Sequence, residues 1–223
     1  MISNLVGLGL YSVSEASSLT GISPQSIRRW LYGYDSVSNH YEPLWQPQTL
    51  GCESEGLGFH DLLEIRFVDT FREYGVSLQA IRMASLSAKE LFESPYPFTC
   101  RNFRTDGHSI FAKVYEATGE EKLIELTKKQ YVMREVISPS LYAGIEFQED
   151  IAVKWYPIAR KKSVVLNPKI SFGKPVIEEF GVPTSALYEA FRVEEDKKFV
   201  ARIYGVSVGA VSDAIEFEER LAA

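Results

Sequence analysis

The stretch YSVSEASSLTGISPQSIRRWL, residues 11–31, decides how this chain is read. It forms two short helical patterns around a tight turn. Ser12 stands three residues before Glu15, the spacing at which a hydroxyl and a carboxylate cap a helix start reciprocally. Val13, Ala16 and Leu19 recur at helical spacing. Gly21 suits the turn, because glycine takes positive φ without steric cost. Ser23 caps a second helix, and Pro24 takes its first position, where a missing N–H does no harm. Ile27 and Leu31 then face inward, and Gln25, Ser26, Arg28 and Arg29 face outward. This is the layout of a helix-turn-helix, whose second helix can lie in a DNA major groove. Ser23, Gln25, Ser26, Arg28 and Arg29 are therefore candidate DNA contacts. An arginine here pairs bidentately with guanine or clamps phosphate, with packing on Trp30 or Tyr32 as the alternative use.

Composition sets bounds on this reading. The chain has 223 residues, 45% hydrophobic and 24% charged, enough for one large domain or two small ones. Its net charge of -6 argues against indiscriminate nucleic-acid binding and leaves room for a local basic face. Cys52 and Cys100 show no metal-ligand spacing and suit a reduced cytoplasmic setting, a single bridge being the alternative. The opening MISNLVGLGLYS has no basic n-region and only a short, broken apolar run. Neither a signal peptide nor a membrane span is expected.

Residues 32–58 are irregular and rich in glycine and proline. Here LWQPQTL, residues 44–50, is expected to form one arm of a short hairpin, a wing. From Trp30 to Ile65 the chain has no Lys or Arg, whereas Asp35, Glu42, Glu53 and Glu55 are acidic. Phosphate contacts need cations or donors, so this wing reads as a packing or protein-contact element. A strong helix follows, FHDLLEIRFVDTFREYG, with Leu62, Leu63, Phe67, Phe71 and Tyr74 on one stripe. Asp61 favours its dipole and Gly75 ends it. Ser77 caps the next helix, which places Leu78, Ile81, Ser85, Leu86 and Phe92 on one side and is stopped by Pro95 and Pro97.

This order, with a helix ending in REYGVSLQAIRMA, resembles the DNA-binding region of the MerR-type regulators over about the first ninety residues. The chain departs from that pattern in its long, cation-free wing. It also lacks the long coiled-coil dimerisation helix and the ligating cysteines of metal-sensing members.

The middle, residues 98–162, reads as mixed α/β. In FRTDGHSIFAKV, Asp106-Gly107 is a hairpin turn signal between two extended runs. Residues 128–136 read as helix. IEFQEDIAVKWYP alternates about a polar turn and predicts a β-hairpin. Arg160, Lys161 and Lys162 form the densest basic cluster, a candidate contact for phosphate or an acidic partner.

Near the C-terminus, residues 164–166 read as a strand and Pro183-Thr184 as a helix start with Leu187, Ala190 and Phe191 inward. Residues 197–204 and 208–221 form a second helix-turn-helix pattern, with Gly205 at the turn, Ser207 as cap, and Phe199 and Ile203 packing on Val211 and Ile215. Lys197, Lys198 and Arg202 are candidate DNA-backbone contacts. The second helix presents a weakly polar face without a cation, so the unit reads mainly as a dimerisation element.

The motifs NPKISFGKPVI, GVPTSAL and VARIYGVSVGAVSDAIEFEE resemble the C-terminal domain of a bacterial family of VapB-like antitoxins, long described as of unknown function. The resemblance covers residues 163–221. It implies a two-domain antitoxin that pairs with a PIN-like ribonuclease toxin and represses its own operon. Arg160, Lys161 and Lys162 are then the candidate plug for an acidic toxin site, by electrostatics. A homodimer would set two recognition helices about 34 Å apart on a palindromic operator.

The expected fold is mainly α with a small β element: a MerR-like winged helix-turn-helix over 1–97, the mixed region over 98–162 and an antitoxin-type helix-turn-helix domain over 163–223. No phosphate loop, nucleophile elbow or His/Cys ligand set is present, and His40, His60 and His108 are isolated. The chain reads as a non-enzyme without cofactor or metal. Two alternatives stand beside the antitoxin. One is a MerR-like regulator sensing a ligand among Tyr131, Tyr142, Trp155 and Tyr156. The other is a protein-interaction adaptor that no longer touches DNA.

Overall fold

The Ser12 hydroxyl accepts from the Glu15 N–H at 3.1 Å, and the Glu15 carboxylate accepts from the Ser12 N–H at 2.8 Å. This reciprocal cap opens α1 (Val13–Thr20), which buries Val13, Ala16 and Leu19. Gly21, at φ 78°, ends it. Ser23 then caps α2 (Pro24–Tyr32), whose buried side is Ile27, Trp30 and Leu31. The structure, a computed structural model, describes residues 7–36, 40–49, 56–119 and 141–222. The helix expected over 128–136 lies outside them, as do Cys52, Glu53, Glu55 and Tyr131.

Beyond α2 comes a two-residue hairpin, β1 (Tyr34–Asp35) with β2 (His40–Tyr41), pairing Tyr34 with Tyr41 and Asp35 with His40. The wing arm was expected over 44–50. Residues 42–49 instead carry no strand, and the pairing lies earlier in the chain. Leu44 and Trp45 are buried rather than alternating, and the Leu44 N–H donates to the Trp30 carbonyl at 2.8 Å.

The long helices are α3 (Phe59–Glu73), α4 (Leu78–Phe92) and α5 (Arg101–Thr118). In α3 the apolar stripe from Phe59 to Phe71 is fully buried, although Tyr74 lies past the helix end and is exposed. Ser77 caps α4 as its spacing implies. Leu86, expected on the inner side of α4, is exposed, and Ala80, Ala84 and Ala88 pack inward with Ile81.

The hairpin expected around Asp106-Gly107 is absent, because α5 runs straight through it. Phe103, Ile110, Phe111 and Val114 lie on one buried face of this helix. Gly107 serves packing rather than a turn: a Cβ there would stand 2.8 Å from the Phe103 ring. Burial of that aromatic face outweighs the local turn preference. Phe71, Phe98, Phe103 and Phe111 meet edge-on or tilted with centroids 4.9 to 6.2 Å apart. Each such ring taken from water contributes about 1.5–3 kcal/mol.

The alternating segment forms β3 (Ile145–Gln148) and β4 (Ile151–Trp155), an antiparallel pair as its pattern predicts. β5 (Val164–Val165) pairs with β6 (Val176–Ile177). Next come α6 (Thr184–Glu194), α7 (Lys197–Tyr204) and α8 (Val208–Ala222), with Gly205 at φ 66° ending α7 and the Ser207 hydroxyl accepting from the Ala210 N–H. Val200 and Ala201 form the buried side of α7. Ile203, expected to pack on Val211 and Ile215, is 57% exposed. One apolar cluster is continuous from Tyr11 to Phe217, so residues of all three expected segments share a core.

Candidate nucleic-acid interface

On α2, Ser23, Gln25, Arg28 and Arg29 are exposed and Ser26 is half-buried. The two serines are engaged locally: the Ser23 hydroxyl accepts from the Ser26 N–H at 3.1 Å, and the two hydroxyls lie 2.9 Å apart. The Arg29 guanidinium lies 5.0 Å from the centre of the Tyr34 ring, and Tyr34 stacks on Tyr41 at 4.6 Å. This column sets the β1–β2 hairpin against α2. The alternative of packing on Trp30 or Tyr32 is replaced, for Arg29, by packing on Tyr34.

The hairpin itself is acidic. His40 Nδ1 lies 2.6 Å from Asp35 Oδ1, and its Nε2 lies 3.4 Å from Glu42 Oε1. Hydrogen bonding to Asp35 raises the His40 pKa above its ordinary value. Cations reach the hairpin from two helices: Arg29 of α2 lies over Tyr34, and Arg82 of α4 donates to the Glu42 carbonyl.

Two buried carboxylates, unmarked in the sequence, hold this unit on its support. Asp61 accepts from the Trp45 indole at 2.8 Å and from the Gln48 and Gly58 N–H groups at 2.9 Å each. Burial nevertheless raises its pKa. The first-turn position favourable to the dipole is thus also an anchor for the loop that follows the hairpin. One turn on, Glu64 accepts from the Thr99 N–H and hydroxyl at 2.8 Å each. Complete burial pushes its carboxyl up to about 8. Neither role is visible locally, because apart from Gly58 the partners named here lie 13 to 35 residues away.

In the C-terminal unit, Lys198 and Arg202 are exposed and Lys197 is half-buried. Lys197 Nζ donates to the Ser212 hydroxyl at 3.3 Å, and the Arg202 guanidinium lies 5.1 Å from the centre of the Phe199 ring. Ile203, Tyr204 and Val208 are exposed around the α7–α8 turn. The basic cluster divides. Lys161 Nζ pairs with Asp213 at 2.6 Å and Glu216 at 2.7 Å, while Lys162 pairs with Glu146 at 3.0 Å. Arg160 is exposed.

Tyr142, Trp155 and Tyr156, named for a buried ligand pocket, are buried, with Tyr142 donating to the Phe98 carbonyl at 2.8 Å and Arg66 covering Trp155 at 4.2 Å; none of the three lines the cavity beside His60 and Tyr96. Among the described residues no group of three or more His, Cys, Asp or Glu is placed to hold a metal ion. No helix among them is long and apolar enough to cross a membrane.

No family model matches the chain. Over nearly its whole length it is similar to a curated protein of Mycobacterium tuberculosis (strain H37Rv) named "Putative antitoxin VapB45". The two are 25% identical over 224 residues, 93% of this chain and 92% of that one. The fold matches the crystal structure of Rv2018 from Mycobacterium tuberculosis with a TM-score of 0.69 and 21% identity, covering 94% of this chain and 98% of that one. The latter likeness is one of fold.

Proposed function

We propose that this chain is the antitoxin of a toxin–antitoxin pair, which neutralises a PIN-like ribonuclease toxin and represses its own operon as a MerR-like winged helix-turn-helix protein. The observation that carries it is the likeness to "Putative antitoxin VapB45" over 93% of the chain, which spans both helical units. On DNA, α2 is the reading helix: Gln25, Arg28 and Arg29 face outward from a buried Ile27–Trp30–Leu31 side. Lys197, Lys198 and Arg202 supply backbone contacts. The exposed Ile203, Tyr204 and Val208 support self-association through the C-terminal unit as a homodimer.

For the toxin, Arg160 is the exposed member of the basic cluster and the foremost candidate for an acidic nuclease site. Lys161 and Lys162 hold carboxylates of this chain, which they must exchange for those of a partner. The test is co-expression with a PIN-like nuclease, expected to be encoded beside this chain's gene. Relief of growth arrest and co-purification are expected, both weakened by charge reversal at Arg160, Lys161 and Lys162. Unchanged inhibition in that triple variant removes the plug, and failure of the wild type to relieve arrest removes the antitoxin role.

A second reading, an adaptor that does not touch DNA, has one observation in its favour. The hairpin beside α2 carries Asp35 and Glu42 and no Lys or Arg of its own.

A further inference from the structure

We propose that the cavity between the start of α3, the α4–α5 connection and β4 is a binding site for a small aromatic organic cation. Its volume is about 310 Å³, at the small end of the roughly 300–1,000 Å³ typical of ligand pockets. None of the residues proposed above for DNA or toxin contact lines it.

The walls select a flat, apolar body. His60 and Tyr96, stacked on each other at 4.8 Å with their planes 13° apart, both line the cavity. Phe92 adds a half-buried ring, and Ile151 stands at the mouth 60% exposed. The floor is fixed in advance: Thr99 gives both its N–H and its hydroxyl to the buried Glu64. The His60 ring is likewise fixed, with Nε2 3.0 Å from the Ala152 carbonyl and Nδ1 3.2 Å from the Gln48 amide.

Charge selects a cation. Glu93 and Asp150 bring exposed carboxylates to the rim, and among the described side chains no Lys or Arg lines the cavity. Burial lowers the His60 pKa, so the imidazole stays neutral at pH 7 and adds no opposing charge. A cation gains from both rim carboxylates and from the aromatic faces. A phosphate or carboxylate ligand is repelled by the two rim carboxylates instead.

The test uses two probes that share a ring and differ in charge, tryptamine and indole-3-acetate. Each is titrated calorimetrically into the full chain, as wild type and as Asp150→Asn/Glu93→Gln. Both positions are exposed, so the fold is expected to persist. Tryptamine is expected to bind the wild type at one site, about tenfold more tightly than indole-3-acetate and about tenfold more tightly than it binds the double variant. Saturating tryptamine is also expected to slow alkylation of the Cys100 thiol, which lines the cavity. No heat with tryptamine at millimolar concentration overturns the proposal, as does equal binding of the two probes or an unchanged affinity in the variant. No DNA or toxin is present in these titrations, so their outcome is separate from that of the antitoxin reading.

Discussion

The Tyr11 hydroxyl donates to the Gly173 carbonyl at 2.6 Å, a buried bond between residues 162 positions apart. Beside it, the Leu10 N–H donates to the Phe172 carbonyl at 2.8 Å. Together they tie the residues preceding α1 to the β5–β6 connection. Gly173 is required twice there: its φ is +83°, and a Cβ would stand 2.5 Å from the Tyr11 hydroxyl and 3.0 Å from the Gly9 Cα. Tyr11→Phe is expected to cost about 1–3 kcal/mol by leaving a buried carbonyl unpaired. Gly173→Ala is expected to cost more, through strain and the same lost bond. Urea unfolding measures both, and stability equal to wild type in either variant contradicts the tie.

Glu64 makes stability depend on pH in a direction opposite to that of a paired surface carboxylate. Its folded pKa is raised to about 8 from an ordinary 4.5. Between those values the native chain binds the proton that the unfolded chain has lost. Its contribution is therefore complete below about pH 4.5 and is lost as pH rises through about 8. His60, lowered by burial, acts oppositely near its ordinary 6.5. The difference between wild type and Glu64→Gln separates them: the wild type is expected to lose stability from pH 6.5 to 8.5 relative to the variant. A parallel pair of pH–stability curves contradicts this.

On the hairpin, His40 is expected to titrate above 6.5, because protonation strengthens its bond to Asp35. Asp35→Asn is expected to return it toward its ordinary value. Histidine NMR titration of the two proteins reads the change directly, and an unmoved His40 would show that the contact does not hold in solution.

The pairing of Lys161 with Asp213 and Glu216 joins the basic cluster to α8. At a solvated site such a pair contributes about 0–1 kcal/mol. Lys161→Ala is thus expected to shift the urea midpoint slightly. Lys161→Glu is expected to shift it further, because three carboxylates then crowd one place. Added salt is expected to narrow the gap between the two variants; a gap insensitive to salt points to packing rather than charge.

What the sequence revealed depended on how local the determinant was. The Ser12–Glu15 cap, Gly21 and the Ser23–Pro24 start all act within four residues, and α1 and α2 stand where they were read. The alternation about Glu149-Asp150 likewise produced β3 and β4. At Asp106-Gly107 the turn signal was local and the deciding force was not: four apolar residues of α5 are buried against distant elements. The β1–β2 hairpin escaped notice because two-residue strands carry no periodicity; its organising contact is the Tyr34–Tyr41 stack. Arg29 was legible as an outward cation, but its seat on Tyr34 was not. Asp61 was legible only as a first-turn carboxylate and Glu64 not at all, since the distant donors come from Trp45, Gln48 and Thr99.

The most direct measurement is a gel shift with the DNA upstream of this chain's own gene, at low and moderate salt, for wild type and Arg28→Ala/Arg29→Ala. Specific binding by the wild type is predicted, lost in the double variant. Its affinity is expected to fall with salt by a logarithmic slope of about 0.9 per phosphate neutralised. Absence of wild-type binding at either salt would contradict operator recognition by α2, leaving the toxin-dependent complex or the adaptor.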